Sequence, residues 1–205
     1  MPRVVVLLIG LAALLLVASQ FALPALAEHR AEDRLEAGGG SASADVRAFP
    51  ALRLLFGDGD SLDVRGRGLR LDLSRRGAFG GLDGFDEVRV RLAELQAGPL
   101  HVSNLVLARP EGAGVYEMRL RGVTTPRELV GFLASQAGGG LGGLFGALAA
   151  GGLPGGGDTR VPLRLTAQVE SRGGRPSVRN ADGSVAGVPA GPLAELVVGA
   201  VVARL

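Results

Sequence analysis

"VRAFPALRLLFGDGDSLDV", residues 46–64, decides how this chain is read. Val46, Arg47 and Ala48 lead in as one short strand, and Leu62, Asp63 and Val64 lead out as another. Between them, Gly57-Asp58-Gly59-Asp60 has turn chemistry: glycine for unusual backbone angles, aspartate for local hydrogen bonds. The segment ahead of the turn, Phe49-Pro50-Ala51-Leu52-Arg53-Leu54-Leu55-Phe56, is too apolar for a solvated loop. It must touch something, and the rest of the sequence has to say what.

Downstream the pattern has a period of two. Residues 61–73 alternate Leu62, Val64, Leu69, Leu71 and Leu73 with polar partners, with a bulge or bend expected at Gly66-Arg67-Gly68. Residues 85–95 place Val88, Val90 and Leu92 on one face and Arg89, Arg91 and Ala93 on the other. Residues 98–109 and 114–123 alternate in the same way. These predict half-buried antiparallel strands with one dry and one wet face, the arginines forming the solvated side. At Thr125-Pro126-Arg127-Glu128 the period changes to that of a helix, with Thr125 as N-cap, Pro126 at the first helical position and Glu128 closing a capping box. Leu129, Val130, Phe132 and Leu133 give that helix a wide apolar stripe. Two further strands are expected around 160–170 and 175–181, then a hairpin turn at residues 181–184, and a closing apolar helix over 189–205. Strands, helix, strands, helix, with no βαβ alternation, predict an α+β fold built on an antiparallel sheet.

Upstream, Val4 through Ala27 carries no charge, and Ala25-Leu26-Ala27 ahead of Glu28 has the small-x-small form of a signal-peptidase site. An uncleaved anchor is the competing reading, because 24 helical residues would span about 36 Å. Both readings place the body of the chain outside the cytoplasm. The expected organisation is a signal peptide or membrane anchor over 1–27, a helix and small-residue hinge over 28–44, and one α+β domain over 45–205.

Composition narrows the function. All 22 basic residues are arginine, set against 20 acids, and removal of residues 1–27 leaves the charge nearly balanced. A nucleic-acid binder needs a net basic face and stacking aromatics, and aromatics make up only 4% here. With no cysteine there are no disulfides, no thiolate metal ligands and no thiol nucleophile. His29 and His101 are far apart in sequence, and no Gly-x-Ser-x-Gly elbow occurs. Gly138-x-Gly140-x-x-Gly143 matches a dinucleotide fingerprint only in spelling, without a preceding strand or a downstream acid. Asp58, Asp60 and Asp63 miss the spacing of a calcium loop, and Asp83 and Asp86 are read as an exposed acidic turn in the same way. The expectation is a protein that is not an enzyme and holds no metal or cofactor.

What remains is an excess of apolar segments outside the strands: 49–56, 129–153 and 193–205. Here the chain resembles the LmeA family of actinobacterial envelope phospholipid-binding proteins. The resemblance is carried by residues 21–37, "FALPALAEHRAEDRLEA", followed by Val46, Phe49, Pro50, Leu52, the run Leu54-Leu55-Phe56 and Gly57. It is strongest over about residues 21–73, with Ala48 where the family usually has glycine, and the glycine-rich 138–157 has no counterpart. The resemblance implies a curved antiparallel sheet wrapped around apolar helices, similar to the tubular lipid-binding folds, and phospholipid and membrane as partners. Together these give the expectation of an extracytoplasmic cell-envelope protein holding acyl chains in an apolar groove. The expected lipid-binding residues are Phe49, Leu52, Leu55, Phe56, Leu129, Phe132, Leu133, Leu144, Phe145 and Leu196. Arg53 either reads a headgroup or snorkels to solvent. The rival expectation is a membrane-anchored structural or interaction module with a filled core and no ligand.

Overall fold

The computed structural model describes residues 19–20, 22–33, 35–71, 81–97, 100–128, 159–172, 174–189, 194–195 and 198–199. Among them are nine strands: β1 (Ser41–Arg47), β2 (Gly59–Arg67), β3 (Arg70–Leu71), β4 (Phe85–Ala97), β5 (Leu100–Arg109), β6 (Val115–Thr124), β7 (Val161–Arg172), β8 (Arg175–Val185) and β9 (Val188–Pro189). They form one sheet in the order β1-β2-β4-β5-β6-β7-β8-β9, with β3 paired to β4 beside this path.

Two parts of the expected fold are overturned. The sheet is mixed, not antiparallel, because β4 runs parallel to both β2 and β3. It is also an open path with β1 and β9 at its ends, and does not close into a tube around helices. The physical reason is plain in Val88, Val90 and Leu92. A period of two says which face each residue occupies, but is the same whichever way the neighbouring strand runs. Direction is set by the connection, and the chain crosses over between Leu71 and Phe85 instead of returning by a hairpin.

The faces themselves follow the sequence. One side of the sheet is a single buried cluster that includes Leu62, Val64, Val88, Leu92, Leu105, Leu107, Met118, Leu120, Leu163, Leu165 and Val169. Ala194 and Val198, one helical turn apart in the closing segment, are fully buried in the same cluster. At Glu94 and Ser103 both β4 and β5 slip by one residue, so Leu95 stays on the dry side after Leu92, and Leu105 after Val102. The wet side is laced by ion pairs, among them Arg89–Glu87 at 2.9 Å, Arg91–Asp63 at 3.3 Å and Arg119–Glu117 at 3.5 Å. Asp182-Gly183, expected in a turn, lies within β8; the hairpin turn is Ala186-Gly187, both at positive φ (55° and 82°).

The capping box forms as expected. Thr125 N–H and Oγ1–H both donate to Glu128 Oε2, at 3.1 and 2.9 Å, and Glu128 N–H donates back to Thr125 Oγ1 at 3.2 Å. These bonds hold the Glu128 carboxyl below the usual range. Leu129, Phe132 and Leu133 of the expected helix, Leu144 and Phe145 of the glycine-rich stretch, and Leu196 all lie outside the described residues.

The N-terminal helix, α1, is described over 19–20, 22–33 and 35–36. Ala27 and Leu35 pack it against the core cluster. Its glutamates reach the free edge of β1: Ala42 N–H donates to Glu36 Oε1 at 2.8 Å, Ala44 N–H to Glu32 Oε1 at 3.1 Å and Val46 N–H to Glu28 Oε1 at 3.0 Å. Ser41–Ala44, expected as a hinge, belong to β1. The expected membrane-anchored location is overturned too. Among the described residues no helix is long and apolar enough to cross a membrane, and α1 docks on its own sheet through charged side chains. Of residues 1–27, on which the anchor or signal reading rests, 1–18 and 21 lie outside the described residues.

Candidate interaction surface

Residues Ala51–Phe56 form a 3-10 helix between β1 and β2. With three residues per turn, positions i and i+3 share a face. Ala51 is therefore fully buried and Leu54 packs against the core, while Leu52 and Leu55 face outward. Phe49 and Phe56 flank them at 77% and 83% exposure, with Leu55 at 64%. Half of the apolar stretch thus packs on the core and half faces outward.

The exposed half is held firmly from behind. Phe49 N–H donates to Asp60 Oδ2 at 2.7 Å, and Ala51 N–H to Gln20 Oε1 at 3.1 Å. Arg53 Nη1 donates to Asp60 Oδ1 at 2.5 Å, and its Nη2 lies 3.6 Å from Asp86 Oδ2. Arg53 thus ties the 3-10 helix to β2 and β4. Gly57 ends the helix at φ 80°, where its N–H donates to the Leu54 carbonyl and the Asp58 N–H to that of Arg53. Only glycine adopts this left-handed angle without cost. Gly59 N–H then donates to the Gly84 carbonyl at 3.0 Å, and Gly84 lies so close to Gly57 that a Cβ there would collide with its carbonyl.

Gly84 begins a second constellation, where the sequence predicts an exposed acidic turn. Asp83 is instead mostly buried. Its Oδ1 accepts the Tyr116 hydroxyl at 3.0 Å, and its Oδ2 accepts Ser171 Oγ–H at 2.6 Å and Gly174 N–H at 2.7 Å. Arg109 lies 3.7 Å from Asp83, donates to the carbonyls of Leu82, Asp83 and Phe85, and sits 4.6 Å over the Tyr116 ring. Burial pushes the Tyr116 hydroxyl far above its usual range; the Arg109 charge opposes this, and the bond to Asp83 adds to it. One aspartate thereby joins the 81–84 turn to β5, β6, β7 and the β7–β8 connection. No motif spacing advertised it, because its partners come from residues 26 to 91 positions away.

The expected lipid groove is overturned. Of its residues, Phe49, Leu52, Leu55 and Phe56 lie together on an outward knob, not along a channel. Depressions of about 260 and 390 Å³ open on the wet face among residues such as Arg119, Thr166, Gln168 and Asp182. Another of about 390 Å³ is lined by Arg70, Glu94, Gln96, His101, Ser103 and Val123. There Ser103 Oγ already donates to the Arg121 carbonyl at 3.0 Å. None of these three is lined by the knob. The physical reason is that the sheet is an open path, and among the described residues its dry face is occupied by its own side chains. Among the described residues no three histidine or carboxylate side chains cluster as metal ligands.

Comparison with family models, curated proteins and solved structures finds no match for the chain. The resemblance to the LmeA family therefore stands on the quoted residues alone.

Proposed function

We propose that this protein is a non-catalytic interaction module whose contact element is the 49–56 knob. The carrying observation is the pairing of exposure with anchorage: Phe49, Leu55 and Phe56 are mostly exposed, yet the segment bearing them is fixed by Gln20, Asp60 and Asp86. Two such phenylalanines present on the order of 300 Å² of apolar surface, the size of patch that usually marks a binding site. Holding it in place beforehand removes part of the ordering cost of association.

Charge around the knob commits the partner. Asp45, Asp58, Asp60 and Asp86 outnumber Arg47 and Arg53 by two. The complementary surface is an apolar pocket on another protein, bordered by arginine or lysine. Nearly balanced charge over the chain body supports a protein partner over a nucleic acid.

The test is photo-crosslinking of the full chain in its own cells from a reactive residue at position 56. One discrete adduct is expected, to a protein whose contact site is an apolar pocket with basic borders. A folded Phe49→Ser/Leu55→Ser variant should lose it. Adducts spread over many proteins would overturn the reading. So would binding to phosphatidylglycerol vesicles that the same variant abolishes, which would make the occupant a lipid surface.

A further inference from the structure

The bonds from α1 to β1 have a regularity that packing alone does not require. Glu28, Glu32 and Glu36 are spaced four apart, and the amides they accept, Val46, Ala44 and Ala42, are spaced two apart in the opposite direction. Four helical residues rise about 6 Å and two strand residues about 6.8 Å. The two periods nearly coincide, and the flexible glutamate stems absorb the difference. The carboxylates stand where the carbonyls of a neighbouring strand would stand. An uncovered edge of this kind is a template for another strand.

Otherwise the cover is attached at few described points. Ala27 and Leu35 pack against the core, Gln20 accepts Ala51 N–H, and Leu26 is 53% exposed. The edge beneath is self-complementary. Residues 41–47, Ser-Ala-Ser-Ala-Asp-Val-Arg, turn the amides of Ala42, Ala44 and Val46 outward. An antiparallel pairing about Ala44 sets Ala42 against Val46 of a second copy, Ser43 against Asp45 and Ser41 against Arg47. No like charges meet, and every outward amide finds a carbonyl. The arrangement is a closed two-fold interface.

We infer that α1 is a displaceable guard, and that β1 beneath it is a strand-addition site for β1 of a second copy. The chain rests as a monomer while the three glutamates hold the edge, and dimerises through a continuous sheet when they leave.

The absence of cysteine makes the test clean. Sedimentation of Glu28→Ala/Glu32→Ala/Glu36→Ala should show a mass twice that of the wild type. The corresponding triple Gln variant keeps an acceptor oxygen at each position and should remain monomeric. Ala44→Cys in the triple Ala background should form an intermolecular disulfide at least tenfold faster than in the wild-type background. Ala42→Cys should not, because residues 42 of the two copies would lie four positions apart in register. A monomeric triple Ala variant, or equal trapping from positions 42 and 44, would overturn the inference. If the triple Ala variant fails to fold, Ala44→Cys alone still decides. Slow trapping that outpaces Ala42→Cys supports transient opening; trapping no faster than Ala42→Cys overturns it.

Discussion

The Asp83 knot and the 49–56 knob are neighbours with inverted chemistry. The knot is polar and enclosed, and its acceptors are engaged by Tyr116, Ser171 and Gly174. The knob is apolar and open, and its backbone amides and the Arg53 side chain anchor it from behind. They meet at the Gly59–Gly84 hydrogen bond and the Arg53–Asp86 pair. The contrast teaches that composition does not say which region supports and which one binds. Buried polar groups survive only with their partners in place, so they specify geometry. Exposed apolar side chains add little to the fold and remain free for a partner.

The sharpest way to break this comparison is to remove the foundation. Asp83→Ala leaves three donors and the Arg109 charge without their acceptor, and should cost about 3–5 kcal/mol of stability, read from the denaturant midpoint. A loss below about 1 kcal/mol would mean that the knot is not the foundation.

Tyr116 offers a cleaner measurement. With no lysine, no cysteine and a single tyrosine, the chain has almost nothing else that titrates in mild alkali. The folded hydroxyl resists ionisation while the unfolded one ionises near pH 10. The unfolded state therefore loses its proton first. Stability is full below that pH and should fall above it by about 1.4 kcal/mol per pH unit. Tyr116→Phe should cost about 1 kcal/mol at neutral pH and abolish the alkaline slope, as seen in unfolding curves at stepped pH.

Arg53→Ala tests the joint between the two regions. Both of its ion pairs are partly exposed, so global stability should fall by only about 0.5–1 kcal/mol. Amide exchange over residues 51–58 should nevertheless accelerate well ahead of the rest of the sheet. Phe49→Ser/Phe56→Ser should change the melting free energy least, within about 0.5 kcal/mol, because both rings are already in water. A large destabilisation there would mean that the rings are structural after all.

Much of the fold was legible. Leu62 and Val64, Val88 and Leu92, Met118 and Leu120 declared their face by alternation, and Thr125 with Glu128 declared a helix start by side-chain chemistry within one turn. The glutamates at 28, 32 and 36 were equally visible as a four-residue repeat, but a repeat on a helix names only a face, not the strand edge it will meet. The knob was half legible: its greasiness was plain, while its division into a buried and an open side required the three-residue period of the 3-10 helix.

By itself, the sequence determined what is local: which residues alternate, where a helix begins, where glycine breaks a strand, and that cysteine chemistry plays no part. Tertiary structure alone decided the direction of β4, the opening of the sheet and the burial of Asp83. The physical reason is range. Alternation and capping are settled by neighbours a few residues apart, whereas strand direction and the satisfaction of a buried carboxylate depend on groups brought together from distant parts of the chain.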